Sequence, residues 1–266
     1  DKSVLSRYNV HNRIGRGCYG VVWEASFCQG DKLLEDSSLF AMKKIVYAFR
    51  NATDAQRTYR EVAYLTKFGS HENILRLRDV MLSPSRKHVY LITDEWECDL
   101  QKAIKCRSLQ PVHRPLIAYQ VFRALKFLHS ASVMHRDVKP SNILLNTFGD
   151  VVLADFGWAR SSPERLVISL ECAPLTEYAS TRWYRAPEML LGGRMYTTAI
   201  DIWAAACVVG EMQIEEGFIP GTSTLDMITR IEELLGKPFA HDIEAMEAPY
   251  GGLVFEVVPA GPPNKP

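Results

Sequence analysis

Apolar residues in the first third of the chain fall in short runs separated by polar turns. Tyr8–Ile14, Val21–Phe27 and Leu39–Ile45 read as three strands, and Val89–Thr93 as a later one. Gln29–Ser38 is polar, with Gly, Asp and Ser, and reads as a strand-connecting loop. Thr53–Phe68 is different: it is rich in Gln, Arg, Glu, Ala and Leu, and Tyr59, Val62, Leu65 and Thr66 share one face. That spacing predicts a helix, with Asp54 as its N-cap and Gly69-Ser70-His71 as its stop. Past Pro111 the period lengthens. Leu116, Ile117, Val121, Phe122, Leu125 and Leu128 predict one long buried helix. Ile143–Leu145 and Val151–Leu153 flank Asn146-Thr147-Phe148-Gly149, a hairpin signal. Further helices are expected at Ala186–Leu191, Thr198–Met212 and Leu225–Leu235, and the Pro- and Gly-rich Val257–Pro266 reads as irregular. A β-rich start before a helix-rich remainder is the order of a two-lobed α+β protein.

Composition narrows this picture. A chain of 266 residues is long enough for one large domain or two lobes. Its 31 basic and 31 acidic side chains leave no overall positive excess for phosphate backbones, which speaks against a nucleic-acid partner. No run approaches the about 18 apolar residues of a membrane span, so no membrane insertion is expected. The opening Asp1-Lys2-Ser3 is polar rather than leader-like, and the missing initiator Met reads as a trimmed start. Cys18, Cys28, Cys98, Cys106, Cys172 and Cys207 form no C-x-x-C pair, so they read as reduced thiols of an intracellular protein. Cys18 stands apart because it lies in a glycine-rich turn.

Three patterns carry chemistry. Gly15-Arg16-Gly17-Cys18-Tyr19-Gly20 lies between two strand-like runs. Glycines let backbone N–H groups approach phosphate oxygens, although a tight hairpin alone would also use them. The run after Gly20 is strand-like, whereas a dinucleotide site needs a helix there. Lys43, in Ala41-Met42-Lys43, is either an exposed strand-face residue or a phosphate ligand, and Glu61 on the predicted helix can supply its counter-charge. Finally, His135-Arg136-Asp137-Val138-Lys139-Pro140-Ser141-Asn142 is followed, thirteen residues after Asn142, by Asp155-Phe156-Gly157. Two acids, a lysine and an amide suit phosphoryl transfer, which needs a proton acceptor, oxygen ligands for a hard cation and positive charge for the developing oxyanion.

From about Tyr8 to Pro238 these residues resemble a eukaryotic protein kinase, with its lobes meeting near residues 95 and 96. The resemblance implies ATP and Mg²⁺ as cofactors and assigns roles by position. Gly15, Gly17 and Gly20 form the loop over the phosphates, with Ile14, Arg16, Cys18, Tyr19 and Val21 around them. Lys43 holds the α- and β-phosphates and pairs with Glu61. Asp137 is the catalytic base, Lys139 steadies the γ-phosphate, and Asn142 and Asp155 bind Mg²⁺. Val22 and Ala41 roof the adenine, Leu144 floors it, Thr93 is the gatekeeper, Asp94, Glu95 and Trp96 are the hinge, and Asp99 approaches the ribose. Lys139, two residues after the base, is the serine/threonine mark.

Thr176-Glu177-Tyr178, with Thr181-Arg182-Trp183-Tyr184-Arg185-Ala186-Pro187-Glu188 and Pro220-Gly221-Thr222-Ser223-Thr224, resembles the dually phosphorylated loop of mitogen-activated protein kinases. Ala48–Thr58 is similar to the atypical extracellular-signal-regulated branch, that of mitogen-activated protein kinase fifteen. The resemblance implies phosphorylation of Thr176 and Tyr178, by an upstream kinase or by the chain itself. It implies protein substrates phosphorylated at Ser or Thr before Pro, and a cytoplasmic or nuclear location. Each phosphate adds about −1.5 to −2 charge and needs cations to order it. The same resemblance implies that Arg60, Arg136 and Arg160 gather phospho-Thr176, and Arg182 and Arg185 phospho-Tyr178.

Departures from the pattern shape the remaining expectations. Trp158 follows Asp155-Phe156-Gly157 where the family has Leu, Ala206 stands for Gly, and Ala179-Ser180 for Val-Ala. After Gly236-Lys237-Pro238 nothing matches the family's last helices, so the C-lobe is expected to be incomplete, with 239–266 a divergent or irregular tail that leaves faces of 198–212 uncovered. Two alternatives follow: a kinase-fold scaffold with little catalysis, and a dinucleotide oxidoreductase resting on the glycine motif alone.

Overall fold

Period-two burial builds the first sheet. In β3 (Phe40–Ile45), Phe40 and Met42 join one apolar cluster while Ile45 joins another on the opposite face, which is also the face of Ala41 and Lys43. The computed structural model describes residues 1–17, 20–28, 39–161, 182–193, 197–248 and 251. The loop expected at Gln29–Ser38 and the tail Val257–Pro266 lie outside them.

The sheet has the order β1-β2-β3-β5-β4, with β1 Tyr8–Gly17, β2 Gly20–Phe27, β4 Leu77–Leu82 and β5 Val89–Asp94, all pairs antiparallel. Gly17 faces Gly20 across the β1–β2 turn. A strand therefore follows the glycine motif, and the dinucleotide reading, which required a helix, is overturned. Gly20 has a packing reason as well: a Cβ there would sit 1.9 Å from the Lys44 carbonyl oxygen. A short helix, α1 (Lys2–Leu5), adds Val4 to the core of Tyr8, Ala25, Phe40, Met42, Tyr90 and Ile92. Strand β4 escaped prediction because Arg78 and Asp79 interrupt its apolar run, the charged pattern of a sheet edge.

Helix α2 spans Ala52–Phe68. Its cap is Asn51 rather than Asp54: Asn51 is extended and its Oδ1 accepts the Asp54 N–H at 2.8 Å. Asp54 sits instead in the first turn, where Arg50 Nε and Asn51 Nδ2 donate to it. The buried face is also rotated from the expected one. Thr58, Glu61, Leu65 and Phe68 are buried, whereas Tyr59 is 73% exposed and Thr66 lies outward. Burial of Glu61 displaced the stripe, since a purely apolar pattern cannot anticipate a buried acid.

The second lobe is helical. It contains β6 (Cys98–Asp99), α3 (Leu100–Lys105), α4 (His113–Ser130) and β7 (Val133–Met134). Then come β8 (Ile143–Leu145), β9 (Val151–Leu153), β10 (Arg160–Ser161), α5 (Pro187–Leu190), α6 (Ala199–Ile214), α7 (Thr224–Leu235) and α8 (Ala240–Ala245). Along α4, Ile117, Val121, Ala124, Leu125 and Leu128 are buried, while Leu116, Tyr119 and Phe122 fall off that stripe and are exposed. The β8–β9 hairpin forms as expected, with Asn146 Oδ1 accepting from Phe148 and Asp150 N–H groups and Gly149 at φ +88°. The segment after Pro238 is not wholly irregular. It begins with α8, whose start is capped by Asp242 Oδ2 accepting the Phe239 N–H at 2.9 Å. Nor is α6 stripped of cover: Ile200, Ala204, Ala205, Cys207, Val208 and Met212 are buried, and its large apolar side chains that face outward are Ile202 and Ile214. Ala206 points outward, so a methyl there meets no crowding.

One acid ties this lobe together. Asp201, 1% exposed in the first turn of α6, accepts the backbone N–H groups of His135 and Arg136, each at 2.8 Å, and bonds His129 Nε2 at 2.9 Å. Asp201→Ala leaves those buried donors unmet and is expected to cost about 3–5 kcal/mol, read by urea unfolding; a loss under about 1 kcal/mol would remove Asp201 from this role.

Candidate active site

The cleft between the lobes is lined by the inner face of β3. Lys43 Nζ contacts Glu61 Oε1 at 2.5 Å, with Glu61 only 7% exposed. Burial works against the charge on Lys43, but the carboxylates of Glu61 and Asp155 outweigh it and raise its pKa. Register does the rest of the placement. Val22 lies opposite Lys43, and Ala41 opposite Thr93, whose hydroxyl donates to the Ala41 carbonyl at 3.4 Å. Leu144 faces Asp99 across the β6–β8 pair. Asp99 caps α3 by accepting the Lys102 N–H at 2.8 Å, Asp94 is ion-paired with Arg78, and Trp96 is half-buried against the large core. Burial of Glu95, next along the chain from Asp94, raises its carboxyl pKa, and the Glu24 and Glu97 carboxylates add to this. Ile14 and Arg16 are on β1, Ile14 half exposed, with Gly15 and Val21 beside the β1–β2 turn. Cys18 and Tyr19 lie outside the described residues.

Across the cleft, Asp137 is 6% exposed in the loop that Asp201 fastens. Lys139 Nζ lies 2.9 Å from Asp137 Oδ2, and Asn142 Nδ2 donates both to that oxygen at 2.9 Å and to the Asp137 carbonyl at 2.8 Å. Asn142 sits in a 3₁₀ turn, Pro140–Asn142, and the Ala154 N–H donates to its carbonyl. The loop and the Asp155 turn are thereby stitched together. Phe156 is fully buried edge-on to His135, with ring centroids 4.8 Å apart, so the turn packs inward. Asp155 itself has φ +60°, a left-handed conformation that is costly for aspartate and is held here by the surroundings. Burial alone would raise its carboxyl, but Lys43, Arg57 and Lys139 hold it well below the usual carboxylate range.

The structure thus brings Lys43, Glu61, Asp137, Lys139, Asn142 and Asp155 to one cleft. It places the five arginines unevenly. Arg136 Nη1 donates to the Trp158 carbonyl at 3.3 Å and Arg160 to that of Ala159 at 3.4 Å, so these two flank one short stretch. Arg136 and Arg185 line one small cavity beside Asp137 and Asp201. Arg182 donates to the Thr222 carbonyl at 3.1 Å, and Arg60 lies on α2 donating to Gln56 at 2.9 Å. Thr176, Tyr178, Ala179 and Ser180 lie outside the described residues. Cys28, Cys98, Cys106 and Cys207 are free thiols, as expected, and Cys172 lies outside the described residues.

Two residues of the site went unread in the sequence. Asp201 shows only as an acid at the head of an otherwise apolar helix. Arg57 stands one helical turn before Glu61 on the same face, a spacing that could have flagged it. Its Nη2 lies 3.7 Å from Asp155 Oδ2.

Comparison with known proteins agrees with this architecture. The family model described as the protein kinase domain matches residues 8–247. The chain is 44% identical to "Extracellular signal-regulated kinase 2" of Dictyostelium discoideum over 99% of its own length and 70% of that protein. It is 42% identical to "Mitogen-activated protein kinase 15" of Caenorhabditis elegans, over 98% of its length and 55% of the relative's, and 42% identical to the Xenopus laevis protein of that name, over 95% and 42%. The chain belongs to the protein kinase family, within its mitogen-activated protein kinases. It spans between about two-fifths and seven-tenths of these relatives.

The lowered Asp155 pKa has a testable sign. Because its folded value lies below the ordinary 3.8, the ionised carboxylate adds stability above about pH 4, and that contribution is lost as pH falls through the folded value. Asp155→Asn is expected to flatten the decline of unfolding free energy below about pH 4, and curves of equal slope for both proteins would contradict it.

Proposed function

We propose that this chain is a serine/threonine protein kinase that transfers the γ-phosphate of ATP to Ser or Thr, followed by Pro, on protein substrates. The observation that carries this reading is the placement of the Lys43–Glu61 pair on one side of the cleft, facing Asp155, which lies with Asp137, Lys139 and Asn142 on the other. Asp155 and Asn142 offer oxygen donors of the kind hard cations take. When bound, Mg²⁺ neutralises the phosphate oxygens; Asp155 and Asn142 would hold it.

The chain's own residues do the remaining work. Lys43, kept charged and oriented by Glu61, grips the α- and β-phosphates. Asp137 orients the substrate hydroxyl and accepts its proton, while Asn142 and Lys139 fix its carboxylate. Lys139 offsets the charge that builds on the transferred group. Ile14, Val22, Ala41 and Leu144 enclose the adenine, with Thr93 closing the back and Asp94, Glu95 and Trp96 lining the edge. Asp99 approaches the ribose, and Gly15, Gly17 and Gly20 let the β1–β2 turn lie over the phosphates. The proposal extends to control. Phosphorylation of Thr176 and Tyr178 raises activity by giving Arg60, Arg136, Arg160, Arg182 and Arg185 anions to gather around. Either an upstream kinase or the chain itself installs them. No helix among the described residues is long and apolar enough to cross a membrane, and the proposed setting is the cytoplasm or nucleus.

The test is a phosphotransfer assay on a basic protein substrate. Asp137→Asn is expected to lower kcat by about 10²-fold or more, and wild-type turnover no faster than the variant's would overturn the enzyme reading. Thr176→Ala with Tyr178→Phe is expected to lower kcat about tenfold, the ordinary size of coupling between sites, with intact mass reporting whether the wild type gains phosphate from ATP alone. Unchanged turnover would remove the switch and leave the catalytic reading standing.

A further inference from the structure

Trp158 occupies the position directly after Asp155-Phe156-Gly157, at the end of a 3₁₀ turn, Phe156–Trp158. Its ring lies under the guanidinium of Arg57, whose central carbon is 5.1 Å from the ring centroid. Arg57 projects from α2, is 13% exposed, and runs across the turn rather than beside it. A Cβ placed on Gly157 would come within 2.7 Å of Arg57 Nε and 2.8 Å of its Cγ. From there Nη2 reaches toward Asp155 Oδ2 at 3.7 Å. Three groups thus bear on one side chain: an aromatic face, a glycine that leaves it room, and a carboxylate. On its other side, Trp158 gives its carbonyl to Arg136 Nη1 at 3.3 Å. Three residues further along α2 from Glu61 the pattern is not repeated; Tyr64 there reaches Ser161 Oγ at 3.3 Å, a weaker hydroxyl contact.

We propose that Trp158 clamps Arg57 across the Asp155-Phe156-Gly157 turn, making Arg57 a positioning residue that locks α2, and with it Glu61, to Asp155. The inference rests on the kinase reading above only for the roles of Glu61 and Asp155; the clamp is a statement about geometry. A leucine at position 158 offers bulk but no negative ring face for the guanidinium to rest on. Cation–π attraction is electrostatic and grows when water is excluded, as it is for an arginine this covered. In the clamped arrangement the carboxyl of Glu61 and that of Asp155 move together, so Lys43 keeps both partners at once. Without it, α2 can swing while Asp155 stays with the catalytic loop, through the Ala154 N–H bond to Asn142. Arg57 touches neither substrate nor nucleotide in this scheme and acts through Asp155.

Hydrogen exchange on the full chain without nucleotide tests the clamp directly. Trp158→Leu and Arg57→Ala are each expected to speed exchange about fivefold at amides of α2 and of 155–158, the size of one partly desolvated cation–π contact, and to leave α6 unchanged. The double variant is expected to go no further than either single one, and Trp158→Phe and Arg57→Lys, which keep a ring and a cation, to recover part of the protection. Additive effects in the double variant, equal loosening in the leucine and phenylalanine variants, or loosening that spreads to α6 would each overturn the clamp and indicate packing alone. Unchanged exchange in both single variants would do the same. The readout needs no turnover. An inactive wild type would therefore count against the proposed function and leave the exchange result to decide the clamp.

Discussion

A lysine ammonium placed inside a cleft must have a carboxylate within reach, because an unpaired charge there would cost several kcal/mol. Lys43 meets that demand by drawing Glu61 of α2 to 2.5 Å and by facing Asp155. The constraint reaches well beyond the pair. It fixes the rotation of α2, which is why Glu61 is buried where an apolar side chain would be expected, and why Tyr59 is turned out to solvent. It fixes the strand register too, since Lys43 must fall on the inner face of β3 while Phe40 and Met42 fill the other. Fold and site share one cause here: the alternation that packs the sheet also aims the lysine.

The opposite wall obeys a second rule, that buried backbone donors need acceptors. The loop around Asp137 is irregular and carries Arg136 at φ +67°, so it cannot satisfy itself. Asp201 supplies the missing acceptor from α6, one of the most covered helices of the lobe. A loop held this way has little freedom, and Asp137, Lys139 and Asn142 inherit that rigidity. Strain at Arg136 and Asp155 is tolerated for the same reason: their surroundings determine the backbone before its own preference can.

Much of this was legible in the residues, and the boundary of legibility is physical. Strand β3 and the long helix α4 announced themselves because each buries one face, and period two or 3.6 is the signature of such burial, while β5 showed as a short apolar run buried on both faces. The glycine turn could be read as a hairpin because what followed it was a strand. The motif residues around Asp137 and Asp155 were legible as a set, since acid, amide and lysine at that spacing serve phosphoryl transfer. What stayed hidden was polar burial. Asn51 took the cap from Asp54 because its extended backbone lies ahead of the first turn. Glu61 rotated the helix, Asp201 anchored a loop 65 residues away in sequence, and Arg57 lay over a turn formed a hundred residues later. Pairings of this kind are long-range and leave no period. Strand β4 was missed for a related reason, its charges belonging to an edge rather than to a loop.

The position of Trp158 joins the two walls. Its ring meets α2 through Arg57, and its carbonyl meets the catalytic loop through Arg136. A single residue at the end of the Asp155 turn therefore touches both elements whose separation would dismantle the site. This also bears on the balanced charge of the chain. In the cleft, cations stand in specific places: Lys43 against Glu61, Lys139 against Asp137, Arg57 against Asp155 and an indole. With as many acids as bases, each of these cations is held in place by a carboxylate beside it.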